Sequence, residues 1–103
     1  MKQIINKKTY DTKTAELIAS WNNNLSNSDF NAIREELYLT KKGAWFFCYW
    51  GGANTCYSET AGNCSSEGSG IKVMSSEEAY KWLESNQFTE AIEKYFSSEI
   101  EEA

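Results

Sequence analysis

The seven residues Ala44-Trp45-Phe46-Phe47-Cys48-Tyr49-Trp50 constrain this chain more than any other segment. A strand alternates its side chains between two faces, so Trp45, Phe47 and Tyr49 point one way while Phe46, Cys48 and Trp50 point the other. Both faces are then apolar, the pattern of a central strand covered on both sides. The run from Ile33 is also strand-like, and Thr40-Lys41-Lys42-Gly43 between the two reads as a compact turn. Gly43 there supplies the positive φ of a type I turn closing on a bulge. A β-hairpin is therefore expected over residues 33–50.

The flanking segments are read around that hairpin. Ile4 and Ile5 among the polar residues of Lys2 to Tyr10 fit a short strand followed by a turn, or a lone edge strand. Residues 11–21 are ambiguous: Ala15, Leu17, Ile18, Ala19 and Trp21 include helical spacings, yet Leu17, Ala19 and Trp21 also alternate as a strand would. Residue type tips the reading towards helix. Asn22 to Ser28 is a loop by its Asn and Ser content. Gly51 to Gly70 holds five of the six glycines, with Tyr57 as its one aromatic. Twenty residues are long for a structureless loop, so an irregular excursion is expected, anchored to the core by Tyr57 and with room for a short strand. Ile71 to Met74 reads as a short strand. Ser75-Ser76-Glu77-Glu78 then forms a capping box that starts a helix with Ala79, Tyr80, Trp82 and Leu83 on its apolar face. After an interruption at Ser85-Asn86-Gln87, a second helix is expected from about Phe88 to Glu99, burying Phe88, Ile92, Tyr95, Phe96 and Ile100, with Glu90, Glu93, Glu99, Glu101 and Glu102 towards solvent. The fold class is α+β, a small antiparallel sheet with two C-terminal helices packed on it.

At 103 residues, with 41% hydrophobic content, the chain suits a single domain over residues 1–103 whose aromatic core needs no disulfide staples. No apolar run approaches the roughly 18 residues that span a bilayer, and Met1 to Tyr10 is mostly polar or basic, so neither membrane nor export signal is expected. A cytoplasmic location follows, with Cys48, Cys56 and Cys64 as reduced thiols. The matches to the glycosylation pattern at Asn24 and Asn63 carry no weight in that setting.

Charge is unevenly spread. Residues 1–75 hold eight basic and seven acidic side chains, a balance of +1, whereas residues 76–103 hold two basic and eight acidic, a balance of −6. Such a C-terminal end repels phosphates, so direct nucleic-acid binding is not expected, and it favours a basic protein partner. The alternative is a charged helix face that keeps a small protein soluble.

Catalysis is disfavoured by the absence of histidine, the commonest general base and partner of a catalytic Ser or Cys. The adjacent carboxylates Glu35-Glu36 and Glu77-Glu78 point in different directions and cannot act as an acid and base pair. No glycine-rich phosphate loop is present, since Gly51-Gly52 and Gly68-Ser69-Gly70 lack its lysine spacing. No cofactor is expected. Two chemical alternatives stay open. Cys48, Cys56 and Cys64, eight residues apart each time, with Glu59 or Glu67, contain enough ligands for zinc, although no C-x2-C pair brings two of them together. Trp45, Phe47 and Tyr49 make a stacking platform for single-stranded nucleic acid or sugar rings if they are exposed, and core if they are not.

The frame Tyr10-Asp11-Thr12-Lys13-Thr14-Ala15-Glu16-Leu17-Ile18 with Trp21, then Asp29-Phe30, Glu36-Leu37-Tyr38-Leu39-Thr40-Lys41-Lys42-Gly43-Ala44-Trp45-Phe46, Gly51-Gly52, Tyr57, Gly62-Asn63, Glu77-Glu78-Ala79 and Trp82-Leu83-Glu84 resembles small acidic proteins of Gram-positive mobile elements. Some of these are similar to type II-A anti-CRISPRs, which inhibit Cas9. The stretch Tyr49 to Cys56 departs from that pattern, which tends to place charged residues and a proline there. The resemblance implies a protein inhibitor that binds Cas9 or a Cas9–guide RNA complex inside a bacterial host. Glu90, Glu93 and Glu99 are the candidate partner-binding residues by charge, with the glycine-rich excursion as a second contact. A non-enzymatic accessory module of the mobile element, with or without zinc, is the alternative, as is an aromatic ligand-binding module.

Overall fold

The computed structural model describes residues 1–62 and 64–101, so Asn63 and Glu102 lie outside the described residues. Strands β1 (Lys2–Ile5) and β2 (Lys8–Asp11) form an N-terminal hairpin. Strands β3 (Glu16–Asn22), β4 (Ile33–Leu39), β5 (Trp45–Gly51) and β8 (Gly68–Met74) form an antiparallel four-stranded sheet in the order β3-β4-β5-β8. Between β5 and β8 the chain makes a small hairpin of β6 (Glu59–Ala61) and β7 (Cys64–Ser66), and it ends in helices α1 (Ser76–Ser85) and α2 (Thr89–Tyr95) and a 3₁₀ turn at Ser97–Glu99. The α+β architecture is the one expected.

The aromatic strand β5 is indeed central, paired with β4 through Phe47↔Leu37 and with β8 through Phe46↔Val73. Each of its faces is buried by a different layer. On one side, Trp45 and Leu37 pack against Ala79, Leu83, Ile92 and Phe96 of the helical layer. On the other, the β1–β2 hairpin brings Tyr10 onto Tyr38, Phe46 and Ile71. Phe46 stacks on Tyr38 at 5.1 Å and meets Tyr10 edge-on at 5.5 Å, while Trp45 stacks on Phe96 at 5.3 Å. Burying a large apolar side chain fully contributes about 1.5–3 kcal/mol, so these two clusters hold the three layers together. Trp45 and Phe47 are buried, only 7% and 4% exposed, which overturns the stacking-platform alternative for this stripe.

The turn between β4 and β5 forms as expected: Gly43 has φ +88°, its N–H donates to the Thr40 carbonyl at 3.0 Å, and the Thr40 N–H donates to the Ala44 carbonyl at 2.8 Å. Two expectations need correction. Residues 11–21 are not a helix. Asp11 to Ala15 is a turn, with the Asp11 carboxylate accepting the Lys13 N–H at 2.9 Å, and Glu16 onward is the edge strand β3. The register of β3 on β4 shifts between Leu17 and Ala19, a bulge that lets the consecutive residues Ile18 and Ala19 both pack on the helical core. That bulge breaks the strict alternation of a strand and mimics a helical spacing. The last helix is also shorter than expected. It stops at Tyr95, Phe96 leaves helical geometry at φ −130°, and Ile100 is an exposed apolar residue instead of part of a buried face.

Candidate functional site

The helical layer that carries the acidic residues is set in place locally by capping and by packing. At the start of α1 the Ser75 hydroxyl accepts the Glu78 N–H at 3.1 Å, and the Glu78 carboxylate accepts the Ser75 N–H at 3.1 Å. The backbone hydrogen bond from Ser75 holds the Glu78 carboxyl below its ordinary pKa. At the other end, the Asn86 side-chain amide donates to the Trp82 carbonyl at 2.9 Å, and Gln87 adopts a positive φ of 58°, turning the chain into α2. Ala79, Leu83, Ile92 and Phe96 then point at the sheet, which leaves the glutamates outside.

These glutamates fall into two groups. Glu77 pairs with Lys81 at 3.5 Å, Glu78 is engaged in the cap, Glu84 accepts the Tyr80 hydroxyl at 2.7 Å, and Glu16 on β3 accepts the Tyr95 hydroxyl. These contacts push the Tyr80 and Tyr95 hydroxyls above their ordinary pKa, chiefly through the hydrogen bond to each glutamate. Glu90, Glu93 and Glu99 are exposed and, among the described residues, their carboxylates make no hydrogen bond or ion pair. Their charge is therefore free to meet a partner. Glu90 and Glu93 share α2, whereas Glu99 sits on the separate 3₁₀ turn, because the helix expected to carry all three ends at Tyr95. Glu90 also borders a surface groove of about 550 Å³ between α2 and the edge strand, lined by Ile18, Ala19, Ser20 and Phe88.

Tyr57 anchors the glycine-rich excursion to the sheet, as the sequence suggested. Its ring stacks on Tyr49 at 4.5 Å, and its hydroxyl donates to Glu35. The same carboxylate accepts the Trp82 indole N–H at 3.1 Å, so a single glutamate of β4 ties the excursion and α1 to the sheet. Burial, and secondarily the bond to Glu35, pushes the Tyr57 hydroxyl far above its ordinary pKa. Glu36, one residue on, lies on the opposite face beside Tyr38 and Cys48, where its charge adds to burial in raising both of their pKa values. Pattern reading missed the Glu35 node because its two donors are 22 and 47 residues distant in sequence.

The cysteines do not converge. Cys48 is half-buried on the sheet face under the N-terminal hairpin, with its thiol 3.8 Å from the Met1 sulfur, while Cys56 and Cys64 are exposed in the excursion. Among the described residues, no three Cys, Asp or Glu side chains gather in a way that holds a metal ion, so the zinc alternative lacks a site there. No described helix is long and apolar enough to cross a membrane. The chain finds no match among protein-family models, curated proteins or solved structures.

Proposed function

We propose that this chain is a non-catalytic binding protein of the anti-CRISPR kind, acting in the cytoplasm of a bacterial host on a type II-A Cas9 or its guide-RNA complex. The observation that supports it most directly is the exposed, unpaired state of Glu90, Glu93 and Glu99 among the described residues, on a C-terminal layer whose sequence balance is −6. Cas9-type effectors hold nucleic acid in positively charged channels, and a rigid carboxylate surface is a competitor for such a channel. The motif resemblance that runs along nearly the whole chain points the same way. The excursion, fixed through Tyr57, offers a second contact beside this face.

The test is co-elution of the purified chain with a type II-A Cas9–guide complex on size exclusion, together with plasmid interference in cells that carry such a system. Complex formation that weakens as salt rises, and relief of interference on co-expression, are the expected results. Unchanged interference across type II-A systems would remove the proposal.

A further inference from the structure

Although the molecule is acidic, four of its nine lysines line one place. The turn of the β1–β2 hairpin and the turn between β4 and β5 stand side by side and enclose a cleft of about 490 Å³, lined by Lys7, Lys8, Lys41 and Lys42 with Thr9 and Thr40. Among the described residues none of these four lysines is in an ion pair. The one carboxylate on the lining, Asp11, is engaged with the backbone N–H of Lys13 at 2.9 Å. Four lysines that line one cleft raise its positive potential, and an anion bound there offsets their mutual repulsion.

Two local features make this a shaped site. Asn6 and Lys7 form the two-residue turn of the hairpin with φ of 52° and 66°. Glycine is the least strained residue at the second position of such a turn, so Lys7 places a charge at the cleft against the backbone preference. Opposite it, the Thr40 hydroxyl oxygen accepts the Ala44 N–H at 3.0 Å, which leaves the hydroxyl hydrogen free to donate to a ligand oxygen.

We infer that this cleft binds a small, multiply phosphorylated anion. Lysine is a point-charge phosphate ligand, and several of them with hydroxyl donors match clustered phosphoryl oxygens. The volume falls in the range of small-molecule sites, and the net charge of −5 on the whole chain disfavours a long polyanion that must run past the cleft over the rest of the surface. A free polyphosphate and a nucleoside triphosphate present the same group.

The experiment is a ¹H–¹⁵N NMR titration of the full chain with tripolyphosphate, with ATP, and with a short oligothymidylate, at low salt. Tripolyphosphate is expected to give saturable shifts confined to residues 7–9 and 40–44. Equal or tighter binding of ATP identifies the nucleotide as the better source, and weaker binding identifies the free polyphosphate. Lys7→Gln with Lys42→Gln weakens binding by about tenfold or more, as does the second pair Lys8→Gln with Lys41→Gln. Lys81→Gln with Lys94→Gln, on the helical layer, leaves it unchanged. The inference is overturned by the absence of saturable shifts, by either cleft pair binding as tightly as the wild type, or by the oligonucleotide binding at these residues more tightly than tripolyphosphate.

Discussion

Glu35 ties three parts of the molecule together. It lies half-buried on β4, and its two donors, the Tyr57 hydroxyl and the Trp82 indole, belong to the excursion and to α1. Removing the Tyr57 hydroxyl leaves a carboxylate oxygen short of a partner in a partly desolvated place, so Tyr57→Phe is expected to lower unfolding stability by about 1–2 kcal/mol in urea titrations. The pH dependence has a definite sign. The folded-state pKa of Tyr57 lies above the ordinary value of 10.0, so its contribution is complete below pH 10 and declines as pH rises beyond it. Wild type should lose stability above pH 10 more steeply than Tyr57→Phe, and parallel alkaline profiles would remove this role for the hydroxyl. Gly68 works beside it by having no side chain, since a Cβ there would collide with the Tyr57 carbonyl oxygen. Gly68→Ala is therefore expected to cost about 1–3 kcal/mol and to loosen the excursion, seen as faster amide exchange around Tyr57.

Elements were legible in the sequence where a local rule determines them. The β4–β5 hairpin follows from two strand runs and Gly43, and α1 follows from the Ser75–Glu78 box and the spacing of Ala79 and Leu83. Ser75→Ala is expected to cost about 1 kcal/mol in thermal unfolding, because it removes the acceptor for the Glu78 N–H. The depressed pKa of Glu78, held chiefly by the Ser75 backbone N–H that Ser75→Ala keeps, adds stability above its ordinary value of 4.5 that is lost as pH falls through the folded-state value, so wild type and Ser75→Ala should both weaken in acid. The remaining elements depend on tertiary context. The bulge in β3 places Ile18 and Ala19 on one side, which sequence reading takes for a helical turn. The β1–β2 hairpin turns at Asn6-Lys7 without the glycine that marks such turns, and β6 and β7 are too short to show a periodicity. For the same reason the candidate acidic residues were legible as a charge run, while the lysine cleft was not. Lys7 and Lys42 line one cleft only because the N-terminal hairpin docks on the sheet through Tyr10 and Phe46.

On the scale of the whole molecule, the central sheet separates two layers of unlike charge. The helical layer carries free carboxylates, and the N-terminal hairpin on the other face helps to line the lysine cleft. A basic macromolecule approaching this chain is therefore drawn to the helical side. The triple variant Glu90→Gln, Glu93→Gln, Glu99→Gln isolates that effect, because it changes the net charge from −5 to −2 by removing three carboxylates that make no hydrogen bond or ion pair among the described residues. Its unfolding stability should stay within about 0.5 kcal/mol of the wild type, as for surface substitutions that touch nothing. Its binding should change mainly in approach: charges on the rim of an interface steer encounter, so the association rate with a type II-A Cas9–guide complex should fall and should lose much of its dependence on ionic strength, while dissociation changes less. Stopped-flow or surface-based kinetics at two salt concentrations distinguishes this from a packing contact, which would appear in the dissociation rate at both. An association rate and salt dependence equal to those of the wild type would place the contact away from α2 and direct attention to the excursion held by Tyr57.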